Sequence, residues 1–398
     1  MESFVTDWLN LALRWLHVVA AIAWIGESFY FVMLDNGLKA PQDAEARQRG
    51  VSGEMWSVHG GGFYHSQKYL VSPPKMPAEL HWSKWKSYAT WMSGFGLFTV
   101  LYLMQPETYL IDKSVANITP SAAVIIALAF LAGGWIVYDG LCRLLGKNDR
   151  VLGVAVAIFI VACTYATTHI FSGRAAYLII GAMMATSMSA NVFFWIIPGQ
   201  RKMVDALSRG ETPDPRPGKL GKQRSVHNTY FTLPVVFIMI SNHYAFTYTN
   251  KYNWIMLSLI MLAGAMIRQF FVLRHAGKNV YALPVAGAAL LVGVAVWAAP
   301  RPAAVPMPAN ASAKPIRLAD IQPILQARCI ECHSAKPTMM GSAPAGVMFD
   351  TPDEISANAE RIYQQAVQLK AMPLGNVTHI TAEERTKLAQ WFTEGAQK

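Results

Sequence analysis

Long apolar stretches broken by short polar ones fill most of the chain, and this alternation is its dominant pattern. Eight runs reach the ~20 residues a helix needs to cross a bilayer, at roughly 8–34, 87–104, 121–141, 151–171, 174–198, 228–248, 253–273 and 280–299. Gly173-Arg174 falls between the fourth and fifth and predicts a tight turn there. After them, residues 300–315 (PRPAAVPMPANASAKP) form a Pro/Ala-rich, semi-rigid linker. In the last stretch, 316–398, Leu318–Arg328 reads as one helix, and Thr381-Ala-Glu-Glu384 as a capping box opening another through Trp391. The pattern predicts an all-α protein, a polytopic membrane bundle of eight transmembrane helices over 1–299 followed by a small all-α domain over 316–398.

Composition agrees, with 53% hydrophobic residues, 12 Trp and only 15% charged. The formal charge of +10 belongs to the first 313 residues, because nine Lys/Arg balance nine Asp/Glu from Lys314 onward. Loops 35–86, 142–150, 199–227 and 274–279 hold nineteen Lys/Arg, against Lys113, Arg174 and Lys251 on the other side. Basic loops stay in the cytoplasm, so both termini and the last domain are expected outside, in the periplasm of a bacterial inner membrane. The surplus charge is accounted for by these loops, and no nucleic-acid partner is expected. Glu2 and Asp7 replace a basic leader and no small-residue cleavage site follows, so the first run reads as a retained helix.

The last domain carries Cys329-Ile330-Glu331-Cys332-His333. C-x-x-C-H is a c-type haem attachment pattern, with Cys329 and Cys332 forming thioethers and His333 lying under the iron. Met372, followed by Pro373, supplies the thioether expected as the opposite axial ligand. A cytochrome c domain with covalent haem c follows, and the alternative is a surface CxxC redox pair. Cys142 and Cys163 lie in apolar runs and read as small packing residues.

Ionisable groups inside spans are costly and are functional candidates. Arg14, His17, His169 and His243 fall in the outer half of their helices. Three imidazoles at one depth suggest a haem b held by two of them: His17 first, His243 as partner, His169 in reserve, with Arg14 beside a propionate. The other reading is that they bond nearby carbonyls or hydroxyls. Glu27, Asp139, Asn191 and Arg268 form an inner layer. Beneath it hangs the loop 35–86, too long for a mere connection, with His59-Gly-Gly-Gly62 and then Tyr64, His65, Gln67 and Lys68. Here glycines permit close backbone approach, and aromatics with Lys and Gln could bind a planar anion. His65, Lys68 and Glu27 are the catalytic candidates; Tyr64, Gln67, Arg268 and Asn191 are the substrate-binding ones.

Two stretches, FYHSQKY with PPKMPAELHWSKWKSYATWMSGF, and RSVHNTYFTLPVVFIMISNHYAF, resemble the bacterial membrane-bound urate oxidase (urate hydroxylase) family. The architecture, including CIECH and MPLGN, is similar throughout. The first helix, LRWLHVVAAIAWIGESFYFVMLD, also looks like that of membrane protoporphyrinogen oxidases and copper-resistance membrane proteins. The resemblance implies eight membrane helices joined to a cytochrome c and oxidation of urate to 5-hydroxyisourate. Water would supply the hydroxyl, and the electrons would pass to the fused haem and on to a downstream cytochrome or terminal oxidase. Two alternatives stay open. One is another haem-linked membrane dehydrogenase, acting on quinol or porphyrinogen. The other is a non-enzymatic membrane-anchored electron-transfer cytochrome, although an anchor needs only one or two helices.

Overall fold

The computed structural model describes residues 2–69, 72–299 and 315–397, so all but the last residue of the expected linker lies outside the described residues. Every one of the eight apolar runs is helical. In chain order they are α1 (Glu2–Gly37), then after a hairpin α2 (Trp85–Phe98), which continues as a π-helical turn over Thr99–Leu103. After the short α3 (Pro106–Tyr109) come α4 (Pro120–Leu145), α5 (Asp149–Thr168) and α6 (Gly173–Ser208). The last three are α7 (Pro215–Ser241), α8 (Asn253–His275) and α9 (Ala282–Ala298). Five of them, α1, α4, α5, α6 and α8, are long and apolar enough to cross a membrane, and α9 is a shorter apolar helix.

Local chemistry starts these helices where the sequence breaks. Thr119 caps α4, accepting from the amide of Ala122, with Pro120 in the first turn. Asn148 caps α5 through the amides of Arg150 and Val151. The predicted turn at Gly173 is there, and Ser172 caps α6 through the amide of Ala175. The bundle is apolar outside as well as inside. Trp15, Ile22, Ile136, Ile158, Val285 and Val296 are among its most exposed side chains, as a lipid-facing surface requires.

Two apolar clusters hold the bundle. One centres on Tyr138, Ile180, Met183, Met184, Ile238 and Leu257, the other on Phe98, Tyr102, Leu131, Phe171 and Ile179. Small residues let the helices approach closely. A Cβ at Gly181 on α6 would stand 2.5 Å from Cγ2 of Ile238 on α7.

The loop after α1 is where the expectation of a helical protein with plain connections needs amending. Residues 51–69 form an antiparallel hairpin, β1 (Val51–His59) and β2 (Gly62–Tyr69). Gly60 and Gly61, both at positive φ (56° and 80°), make its two-residue turn. The glycine run therefore serves the turn and not a close approach to a ligand.

The C-terminal domain has its own core of Leu318, Ile321, Leu325, Ile355, Ile362, Leu388 and Trp391. Its first helix, α10, spans Leu318–Arg328. Its last, α11 (Ala382–Thr393), starts with the predicted capping box between Thr381 and Glu384. The domain touches the bundle at α3. A Cβ at Gly375 would lie 2.6 Å from the carbonyl oxygen of Ile111 and 3.3 Å from that of Thr108.

Gly181→Val should lower the thermal unfolding temperature of the detergent-solubilised protein, because overpacking costs about 1–3 kcal/mol. An unchanged melting temperature would mean that α6 and α7 separate at no cost.

Candidate functional site

The polar residues of the bundle sort into a cavity, a charge network and one isolated arginine. The cavity, of about 330 Å³, runs between α1, α2, α6 and the end of α7. His17, Thr90, Trp91, Gly94 and Phe95 line it, and Arg14, Tyr102, Arg174, Asn242 and His243 complete the wall. His17 is held in one orientation. Its Nδ1 donates to the carbonyl of Thr90 at 2.9 Å, with Ser93 Oγ at 3.3 Å, which leaves Nε2 with a free lone pair. The ring rests on Gly94, where a Cβ would come within 2.8 Å of it. Trp91 and Phe95 stack with ring centres 5.3 Å apart.

Arg174 donates through Nε to Asn242 at 3.3 Å and lies over the Tyr109 ring at 5.7 Å. The buried Tyr102 hydroxyl, in reach of the Arg174 charge, has no hydrogen bond of normal length. His169 is not part of this wall. It sits at the exposed end of α5, its Nδ1 bonded to the carbonyl of Tyr165 at 2.7 Å and its ring packed on Tyr165. Among the described residues no three His, Cys, Asp or Glu side chains gather as a metal site. The three imidazoles expected at one depth therefore do not converge; two of them share a cavity and the third lies apart.

The inner layer also separates. Asp139 on α4 accepts from Arg224 Nη2 on α7 at 2.7 Å, from Trp195 Nε1 on α6 at 2.8 Å and from Arg143 at 2.6 Å. Asn191 donates to Tyr138 Oη at 3.0 Å and to Asn228 Oδ1 at 2.9 Å, and Tyr138 Oη also meets His227 Nδ1 at 2.8 Å. Asn191 is thus a fully engaged structural link. Glu27 is held by Lys86 and by Ser83 Oγ at 2.8 Å.

Arg268 on α8 is different. It is 4% exposed, its Nε and Nη2 have no hydrogen-bond partner, and its guanidinium lies 4.2 Å over the Phe29 ring. Close by, the hydroxyl of Tyr230 donates to Gln269.

The hairpin keeps its own company. His65 Nε2 bonds Glu54 at 2.9 Å and its ring stacks on Trp56 at 4.1 Å, while Lys68 pairs with Asp35. The Gln42 amide, followed by His65, holds the Glu54 carboxyl below the usual carboxylate range. Tyr64 is exposed and pairs across the strands with Ser57, and Gln67 pairs with Glu54. No hydrogen bond or ion pair among the described residues joins His65 or Lys68 to Glu27, Asn191 or Arg268. Sequence reading put these residues in one site; the fold disperses them because the strands direct them onto neighbours of the hairpin itself.

In the C-terminal domain, His333 Nδ1 donates to the carbonyl of Val347 at 2.9 Å and its ring packs on Phe349, again leaving Nε2 free. Burial pushes the Cys329 thiol up to about 12 and also raises that of Cys332. The Met372 carbonyl accepts from Arg385 at 3.0 Å. Tyr109 of α3 lies under the Arg174 guanidinium of the cavity wall, and α3 is also where the C-terminal domain touches the bundle.

Arg174, Tyr102 and Tyr109 were missed from the sequence, where Arg174 read only as a loop charge. The available signal was its position one residue into a capped helix, opposite Asn242.

These features define a helical membrane-type bundle whose polar sites are buried among apolar helices. A family model described as "Urate oxidase N-terminal" matches residues 3–299, and the chain belongs to that family. The match covers the bundle and stops before the CxxCH domain. None of the curated proteins and none of the solved structures compared with the chain matches it.

Removing Asp139 leaves Arg224 buried and uncompensated. Asp139→Ala should destabilise the protein by about 3–5 kcal/mol, read as a fall in melting temperature, and adding Arg224→Met should restore part of it. A double variant as unstable as the single one would show that the pair is not what matters.

Proposed function

We propose that the protein oxidises urate in a bacterial inner membrane and sends the electrons outward to a haem c carried by its own C-terminal domain. The family supports urate as substrate. The observation that carries the site is Arg268. A guanidinium buried without an anion is expensive, and the chain's other deeply buried arginine, Arg224, has Asp139 while Arg268 has no such partner. Urate is a planar monoanion near neutral pH. It would accept from the free Nε–H and Nη2–H in bidentate fashion, with Phe29, Tyr230 and Gln269 as aromatic and amide neighbours.

The reaction is urate + H2O → 5-hydroxyisourate + 2 H⁺ + 2 e⁻. The base role is assigned to Glu27 of α1, whose carboxylate is held by Lys86 and Ser83. The proposal gives His65, Lys68, Tyr64 and Gln67 no role at the reacting atoms, because the His65 and Lys68 side chains are already held by Glu54 and Asp35.

Haem c supplies a one-electron acceptor when bound, and a periplasmic redox protein or terminal oxidase would take the electrons onward. The residues suit it. Cys329 and Cys332 supply the two sulfurs, His333 presents Nε2, and Met372 supplies a thioether. In this reading eight helices cross, with the basic loops inside and both termini outside.

Arg268→Met should raise the urate KM by at least about tenfold, since a charge-assisted pair is lost, while the melting temperature stays level or rises. A fall in stability with unchanged KM would make Arg268 structural and remove the site. Gly375→Val should leave covalently bound haem intact but slow its reduction by urate, with dithionite still reducing it fully. Wild-type reduction rates would detach electron transfer from the contact with α3.

A further inference from the structure

We propose that the outer cavity binds a second, non-covalent iron tetrapyrrole, a b-type haem, with His17 and His243 as iron ligands and its carboxylates on Arg14 and Arg174. The site is argued from the cavity alone; only its role as relay rests on the urate reading above.

Its volume of about 330 Å³ lies in the range of small-molecule and cofactor sites, ~300–1,000 Å³. The lining is mixed. Leu97, Leu101, Leu131 and Leu178 with the stacked Trp91 and Phe95 give it apolar surface. Arg14, Arg174 and the Tyr102 hydroxyl, which has no hydrogen-bond partner, add anion-binding groups. That combination fits a large apolar molecule that carries carboxylates.

His17 supplies the specific element. Its Nδ1 is fixed by the Thr90 carbonyl and Ser93, and Gly94 leaves room for the ring, so Nε2 is presented as a ligand nitrogen. A metal-bound histidine characteristically has its other nitrogen held in this way. Arg14 lies three residues before His17, one turn along the same face of α1. His243 lines the same cavity from beyond the end of α7, its side chain has no hydrogen bond among the described residues, and it is the second ligand of this proposal.

Other occupants fit less well. Urate is polar on every edge and would leave its carbonyls and N–H groups unpaired against the leucines. An acyl chain would fill the apolar part and leave the oriented imidazole and two guanidiniums unused. The tetrapyrrole uses all three. When bound, the haem would supply a one-electron carrier, taking one electron from urate oxidation on reduction and giving it to haem c on reoxidation, so two cycles would match one urate.

The test is acid-acetone extraction and a pyridine haemochrome spectrum of the purified full chain. Extractable b-type haem at about one per chain, beside covalent haem that resists extraction, is expected. His17→Ala should remove the extractable haem and leave the covalent one. His243→Ala should lose it or convert it to a high-spin spectrum. No extractable haem in wild-type protein overturns the proposal whether or not the variants fold, and so does full low-spin retention in both variants. If extractable haem is present but urate reduces neither haem, this site stands and the urate reading falls. If urate reduces haem c in protein with no extractable haem, the urate reading stands and this site falls.

Discussion

Arg224 and Asp139 form an ion pair inside an apolar bundle, and the arrangement of the inner half follows from keeping that pair satisfied. Asp139 belongs to α4, Trp195 and Asn191 to α6, Arg224, His227 and Asn228 to α7. Three helices are pinned by side chains that cannot find water in lipid. Breaking any one link leaves a charge or an amide without a partner, and the low dielectric makes that loss large. The network leaves little free space, since its members face each other. It reads as scaffold.

The same reasoning sorts the remaining polar groups. A satisfied buried group contributes to the fold, whereas an unsatisfied one costs stability and is retained for another reason. Arg268 and the Tyr102 hydroxyl are unsatisfied, in the inner half and at the outer cavity respectively. The two arginines differ in nothing that a sequence displays. Both lie on long helices near the basic side. Only the packing shows that one meets an aspartate and the other a phenylalanine ring.

That contrast explains how far the sequence was legible. Hydrophobic runs give helices because lipid or an apolar core leaves the backbone no other partner, so all eight were readable, as were the Ser172 cap and the Thr381 capping box. His17 and Arg14 were readable as a pair because helical spacing places them on one face. The hairpin was not, because its strands, VSGEMWSVH and GFYHSQKY, alternate weakly and its glycine run has more than one use. His65 and Lys68 were assigned to a site by residue type. Their partners, Glu54 and Asp35, are eleven and thirty-three positions away, one in the same hairpin and one at the end of α1, and only the folded structure shows the pairing. Depth alone misplaced His169, since it says nothing about which way a helix end turns.

The two proposed sites would impose a condition on the whole molecule. In that reading, electrons released beside Arg268 would cross much of a ~30 Å core to a domain that rests on α3. Saturated side chains hold no stable charge between them, so a bundle with no intermediate carrier would turn over slowly. The cavity around His17 lies between α1, α2 and α6, and Arg174 of its wall lies over the Tyr109 ring of α3. The docking surface completes the chain of contacts. Gly375 abuts backbone carbonyls of α3 and the turn that follows it, where any side chain would hold the two domains apart. Distance enters electron transfer exponentially, so a separation of a few ångströms there would outweigh most changes elsewhere. In that reading a glycine at this point, in the segment that also carries Met372, would govern the rate of the exit step.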